Sequence, residues 1–150
     1  MAYWLMKSEP DEYSIDDLLR DKKSAWFGVR NYQARNFMRD DMKIGEGVLF
    51  YHSSCPQPGI AGIAKVASKP MPDKTQFEPG DYFESKSTVE KPIWMCVEVA
   101  AVKKIPLLSL ATIRATPELE SMRILQRGNR LSITPITDEE WNFIHQHFVK

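Results

Sequence analysis

Val48-Leu49-Phe50-Tyr51-His52-Ser53-Ser54 is the segment that most limits how this chain folds. Its first four residues are a continuous apolar and aromatic run. Pro56-Gln57-Pro58-Gly59 follows as a tight return, and Ile60 to Val66 is a second apolar run. Two such runs around a turn cluster predict an antiparallel hairpin. Strand alternation places Val48, Phe50 and His52 on one face. Leu49, Tyr51 and Ser53 then fall on the other.

The remaining chain interleaves short strands with short helices. Tyr3 to Lys7 reads as a first strand. Ser14 and Asp17 match a capping box, with Tyr13 and Leu18 as its apolar staple, so a short helix is expected over Ile15 to Arg20. Ser24 to Phe27 reads as a brief extended piece. Asn31 is an N-cap candidate for a helix that carries Ala34, Phe37, Met38 and Met42 at helical spacing. Ile93 to Val102 reads as a strand and Ser109 to Arg114 as a helix. Thr116-Pro117 before Glu118 to Arg127, with Gly128 after it, predicts another short helix. Leu131 to Ile136 returns to strand. Thr137 and Glu140 form a second capping box for a last helix from about Asp138 to His147. No βαβ rhythm connects these pieces. The expected class is therefore α+β, a small curved antiparallel sheet or partial barrel with short helices around it, in one domain over residues 1–150. Lys69 to Lys91 is long for a loop and rich in Pro, Asp, Lys and Ser. Tyr82 and Phe83 within it predict docking on the body.

Charge excludes the simplest classes. Lys plus Arg number 20 and Asp plus Glu number 20. The total therefore predicts neither a nucleic-acid nor a membrane partner, but the distribution is uneven. Arg20 to Lys43 holds seven basic residues against three acidic ones. Lys103, Lys104, Arg123, Arg127 and Arg130 add later cations, so a neutral chain can carry a basic face. Cys55 and Cys96 are too few and too far apart for a disulfide framework or a zinc site. No apolar run reaches the length of a membrane span. The N-terminus lacks the pattern of a signal peptide. A cytoplasmic protein is expected, with no metal, no cofactor and no membrane partner.

Catalytic motifs are missing. Neither G-x-x-x-x-G-K-[ST] nor G-x-G-x-x-G occurs. His52 and Ser53 are adjacent on a strand and face opposite ways, which argues against a nucleophile and its base. A zinc deaminase would need H-x-E and P-C-x-x-C, both absent. Binding is the remaining chemistry, and Trp26 to Phe37 concentrates the groups for it. A flat aromatic, flat cations and amides are gathered before a helix start. Trp26 reads as the floor of a base pocket or as a core residue. Arg30 and Arg35 read as phosphate contacts or as a helix coat. Asn31 reads as a base-edge contact or only a cap.

Four stretches carry a resemblance. They are Tyr3 to Pro10, Trp26 to Arg35, Val48 to Ser53 and Gly128 to Ser132. In that order they resemble the EVE domain family. The resemblance implies a PUA-like fold, a barrel-like sheet with flanking helices. It also implies a module that reads a modified nucleobase, a modified cytosine or adenine in DNA or RNA, without catalysis. Carried over by position, the pocket would hold Ser8, Trp26, Val29, Arg30, Asn31, Tyr32, Tyr51, His52 and Ser53. Lys7, Arg35, Arg127 and Arg130 would meet the backbone. Phe27 departs from the pattern, standing where relatives carry an acid. The basic N-terminal tail of the nuclear members is absent here, so a nuclear location is not implied. A monomer is expected. The alternatives are a small-metabolite or nucleotide binder or an enzyme in the same cleft, and a protein-interaction module centred on Lys69 to Lys91.

Overall fold

The computed structural model describes residues 1–149. In chain order, β1 (Tyr3–Ser8) leads to α1 (Ile15–Asp21) and β2 (Lys23–Ala25). Next comes α2 (Tyr32–Asn36), whose last turn widens into a π-turn over Phe37–Asp41. The hairpin is β3 (Gly47–His52) and β4 (Gly59–Val66), followed by β5 (Met71–Pro72) and β6 (Met95–Cys96). The chain closes with β7 (Glu98–Ser109), α3 (Leu110–Ala115), β8 (Ile133–Ile136) and α4 (Asp138–Phe148).

The expected hairpin is present and antiparallel, with a register shift between Phe50 and Tyr51. It lies at the centre of a six-stranded sheet ordered β2-β7-β4-β3-β1-β8. All pairings are antiparallel except β1 with β3. Both capping boxes and the Asn31 cap form. Ser14 Oγ accepts from Asp17 N at 3.1 Å, and Asn31 Oδ1 accepts from Ala34 N at 3.0 Å. These contacts span only three residues, so local sequence specifies them.

Alternation sorts the core onto the two faces of the sheet. Trp4, Met6, Val48 and Phe50 join one cluster with Ile15, Leu18, Trp26 and Met38. Leu5, Leu49 and Tyr51 join another with Ile113, Leu119, Met122 and Ile144. Ala25 of one edge strand and Ile133 of the other pack with the same first cluster. The sheet therefore curls around that cluster. It does not close, since β2 and β8 remain unpaired edges. This corrects the barrel-like expectation.

Three further expectations change. The helix over Glu118 to Arg127 is instead two 3₁₀ turns, Pro117–Leu119 and Arg123–Leu125. Leu119 and Met122 are both fully buried. Met122 N donates to Leu119 O at 3.1 Å across the bend between the two turns, and Met122 itself takes ψ 135°, which ends any continuous helix there. The strand over Ile93 to Val102 divides, because β6 leaves to pair with β5 in a separate small sheet. Lys69 to Lys91 is thereby not a bare loop but a docked flap with its own strand and turn. No helix among the described residues is long and apolar enough to cross a membrane.

Candidate functional site

A cavity of about 680 Å³ opens where the sheet fails to close. Ser24 and Ala25 of the β2 edge lie on one side, and Arg130 and Ser132 before β8 on the other. Lys7 and Ser8 end β1 between them, and Ser53 and Ser54 follow β3. The parallel β1–β3 pair makes this convergence, since both strands end together. Ser53 N donates to Ser8 O at 3.0 Å, and Lys7 N donates to Ser132 O at 2.8 Å. The volume falls in the usual range of ligand clefts, about 300–1,000 Å³.

Trp26 forms part of the floor. It is 8% exposed, its ring meets Phe50 edge-on at 5.4 Å, and its backbone N–H donates to Val97 O. It is both a core residue and a cavity residue, so the two sequence readings merge. Val29 is buried beside it. Gly28 holds φ at +85°, and its N–H donates to Asp73 Oδ2 at 2.8 Å. A Cβ there would stand 2.8 Å from Cζ of Tyr82. Glycine thus lets the Tyr82 ring lie flat against the backbone as a cavity wall.

The polar groups divide into spent and free. Ser8 Oγ donates to Tyr13 O at 2.6 Å, which leaves its lone pairs open. Asn31 uses its carbonyl oxygen on the helix cap, and its amide NH₂ has no partner among the described residues. The Ser53 hydroxyl is likewise unengaged. The half-buried Lys7 ammonium has no ion-pair partner there. Burial pushes its pKa down from the ordinary lysine value, the mark of a cation short of solvent and counter-charge. Arg130 is exposed and also lacks an ion pair. Glu9 and Glu12 supply carboxylates on another part of the rim.

Arg30 lines the cavity but is fully occupied. Its Nη1 donates to Asp73 Oδ2 at 3.0 Å and to Val29 O at 2.9 Å. Its Nη2 donates to Thr75 Oγ1 at 3.0 Å and to Tyr82 O at 2.8 Å, and Nε also reaches Tyr82 O. All five guanidinium donors are engaged. Arg30 therefore fastens the 69–91 flap to the site and offers phosphate no free N–H. Asp73 was missed in the sequence because its partner lies 43 residues away. Tyr82 was noticed only as a docking residue.

Three residues expected in the pocket do not line it. Tyr51 is buried in the other core cluster, as strand alternation requires. His52 turns to a separate depression of about 420 Å³ with Cys55 and Lys104. There its Nε2 accepts from Ile15 N at 3.1 Å, and burial lowers its pKa. Tyr32 lies outside, stacked on Trp94 at 4.9 Å. Ser53 reaches the cavity because it lies past the end of β3, where alternation with Tyr51 no longer binds it. Of the four backbone candidates, Lys7 and Arg130 line the cavity. Arg127 lines an adjoining depression shared with Arg130. Arg35 stands apart, donating to Ile93 O at 2.9 Å with its guanidinium 4.8 Å from the Tyr32 ring centre.

The family model described as EVE domain matches residues 2–147. The chain belongs to the EVE domain family. It is 41% identical over 163 aligned residues to human thymocyte nuclear protein 1, covering 95% of this chain and 72% of that protein. A crystal structure of a protein from Pseudomonas syringae superposes with a TM-score of 0.92 at 48% identity, covering 97% and 98% of the two chains. The human THYN1 protein, solved in complex with DNA containing 5-methylcytosine, superposes with a TM-score of 0.89 at 38% identity, covering 97% and 96%.

Proposed function

We propose that this EVE protein is a single, non-catalytic nucleic-acid-binding module that takes one modified base, a methylated cytosine in the first instance, into the cavity above Trp26. The observation that carries this reading is the composition of that cavity. An aromatic floor lies beside Tyr82, and the unengaged donors of Asn31 and Ser53 face the same space. Ser8 and the two glutamates add acceptors, so the site offers both senses of hydrogen bond to a planar polar ring. Lys7 and Arg130 supply positive charge for the phosphate of the same nucleotide. The relative solved with 5-methylcytosine DNA supports the choice of cytosine.

Energetics limit the target. One base–aromatic stack contributes about 1–3 kcal/mol. Extruding a paired base costs a few kcal/mol. A single stack therefore only balances extrusion, and hydrogen bonds and phosphate contacts must supply the net affinity. An unpaired base is the easier target.

The test is tryptophan-fluorescence titration with matched oligomers bearing cytosine or 5-methylcytosine. Asn31→Asp retains the capping oxygen but removes the NH₂ donor, and Ser53→Ala removes the free hydroxyl. Each lost hydrogen bond is expected to weaken binding by about 1 kcal/mol, roughly five-fold. Unchanged affinity in both variants, with the helix content intact, would place the base elsewhere. Saturable binding of a free nucleotide or metabolite, equal to that of the oligomer, would replace this reading with the small-molecule alternative.

A further inference from the structure

A cationic turn adjoins the cavity at one point of its rim. Arg130 stands on the β8 side, next to a second depression of about 290 Å³ that also holds Arg123 and Arg127. That depression contains no acidic residue, and none of the three arginines forms an ion pair among the described residues. Glu9 and Glu12 also line the cavity, together with Tyr82 of the flap. Tyr82 registers the local field. Its phenol is raised above the ordinary tyrosine value first by burial, then by the negative charges of Glu12, Asp81 and Glu9.

The arginine segment is held rather than loose. Leu119 and Met122 are fully buried beneath it, and Ile124 and Leu125 pack partly against the same core. Apolar residues therefore point inward while Arg123, Arg127 and Arg130 are exposed. Asn129 fastens the turn through its side chain, with Nδ2 donating to Arg123 O and Oδ1 accepting from Leu131 N at 3.0 Å. Gly128, at φ +80°, sets the bend between Arg127 and Arg130. Cations on an ordered turn lose less freedom on meeting a phosphate than cations on a mobile tail.

We propose that the strand's sugar–phosphate backbone is gripped on one side only of the bound base, with Arg123, Arg127 and Arg130 meeting successive phosphates where it leaves the cavity past Arg130. This rests on the base-reading function proposed above and adds a direction to it. It brings in Arg123, a residue outside the pocket, and it predicts that the sequence context read by the protein is asymmetric about the base.

Single-stranded DNA oligomers test this, with one 5-methylcytosine placed centrally, at the 5′ end or at the 3′ end. Extension by three nucleotides on one side is expected to tighten binding severalfold, and the same extension on the other side to change it little. Three phosphate contacts on single strands give a slope of about −2.1 in log affinity against log salt, roughly an 18-fold loss between 50 and 200 mM. Arg123→Ala with Arg127→Ala is expected to reduce that loss to roughly three-fold. The double variant should weaken methylated and plain oligomers by the same factor, so their ratio stays fixed. Equal gains from both extensions, or an unchanged salt slope in the double variant, would overturn the one-sided grip. A ratio of one in the wild type with the slope intact would instead remove the base reading and leave the backbone track standing. Absence of salt-sensitive binding to every oligomer would overturn both.

Discussion

Replacing Arg30 with alanine separates two roles that the sequence leaves open. In the structure the Arg30 side chain is 21% exposed and its partner Asp73 only 2%. Asp73 would keep the N–H of Gly28 and the N–H and hydroxyl of Thr75 as donors. It would lose the only ion-pair partner it has among the described residues. Breaking a buried ion pair by removing one partner costs about 3–5 kcal/mol. Water reaches this arginine, and three hydrogen bonds persist on Asp73, so the lower end, about 3 kcal/mol, is expected. Urea unfolding of Arg30→Ala, Asp73→Asn and the double variant measures it. The double variant should lose clearly less than the sum of the singles, because each single already breaks the shared contact. Binding should also weaken as Tyr82 and the flap come loose, while the salt slope stays that of the wild type. A loss below about 1 kcal/mol with additive singles would refute the clamp. A slope lowered by about one phosphate would refute it differently, by showing that Arg30 meets the nucleic acid itself.

Other outcomes follow from the same geometry. Burial lowers the folded-state pKa of His52, whose Nε2 accepts from Ile15 N, so the unfolded chain takes up this proton first on acidification. Its stabilising contribution is therefore complete above the unfolded value of about 6.5 and is lost as pH falls through the folded one. The urea midpoint of the wild type should drop between pH 7.5 and pH 5 more than that of His52→Gln, and equal drops would exclude the histidine. Gly28→Ala forces a left-handed φ on alanine and drives a methyl into Tyr82, whereas Gly128→Ala, at a similar φ, meets nothing within 4 Å. The second should cost about 1–2 kcal/mol. The first should cost more and should also weaken oligomer binding, and equal losses in thermal unfolding would show that Tyr82 yields freely. Cys96 is fully buried, and burial raises its thiol to about 12. It should resist alkylation in the native protein and react only on unfolding, whereas the partly exposed Cys55 should react first.

Short-range features were legible because their causes are short-range. Ser14 with Asp17, Thr137 with Glu140 and Asn31 with Ala34 are contacts within three residues, and the β3–β4 hairpin is set by two apolar runs around one turn. The gathering of aromatic, amide and cation at Trp26 to Asn31 was visible for the same reason. The long motifs from Tyr3 to Ser132 carried the family itself. What they could not carry was direction and occupancy. The Thr116-Pro117 cap and the Gly128 stop suggested one helix, yet the segment breaks into two 3₁₀ turns with Leu119 and Met122 buried.

Tertiary structure decided the rest. The parallel pairing of β1 with β3 brings Ser8 and Ser53 to one rim, and the end of β3 frees Ser53 from the face that buries Tyr51. Asp73, 43 residues from Arg30, turns an apparent phosphate ligand into a fastener, and Ile15 turns His52 into a hydrogen-bond acceptor outside the cavity. The sequence alone established the family, the class of fold and which side chains were available for recognition, because composition and local spacing determine those. Which of the side chains remain free to meet a ligand depended on partners distant in the chain, since a donor already engaged across the fold has nothing left to offer.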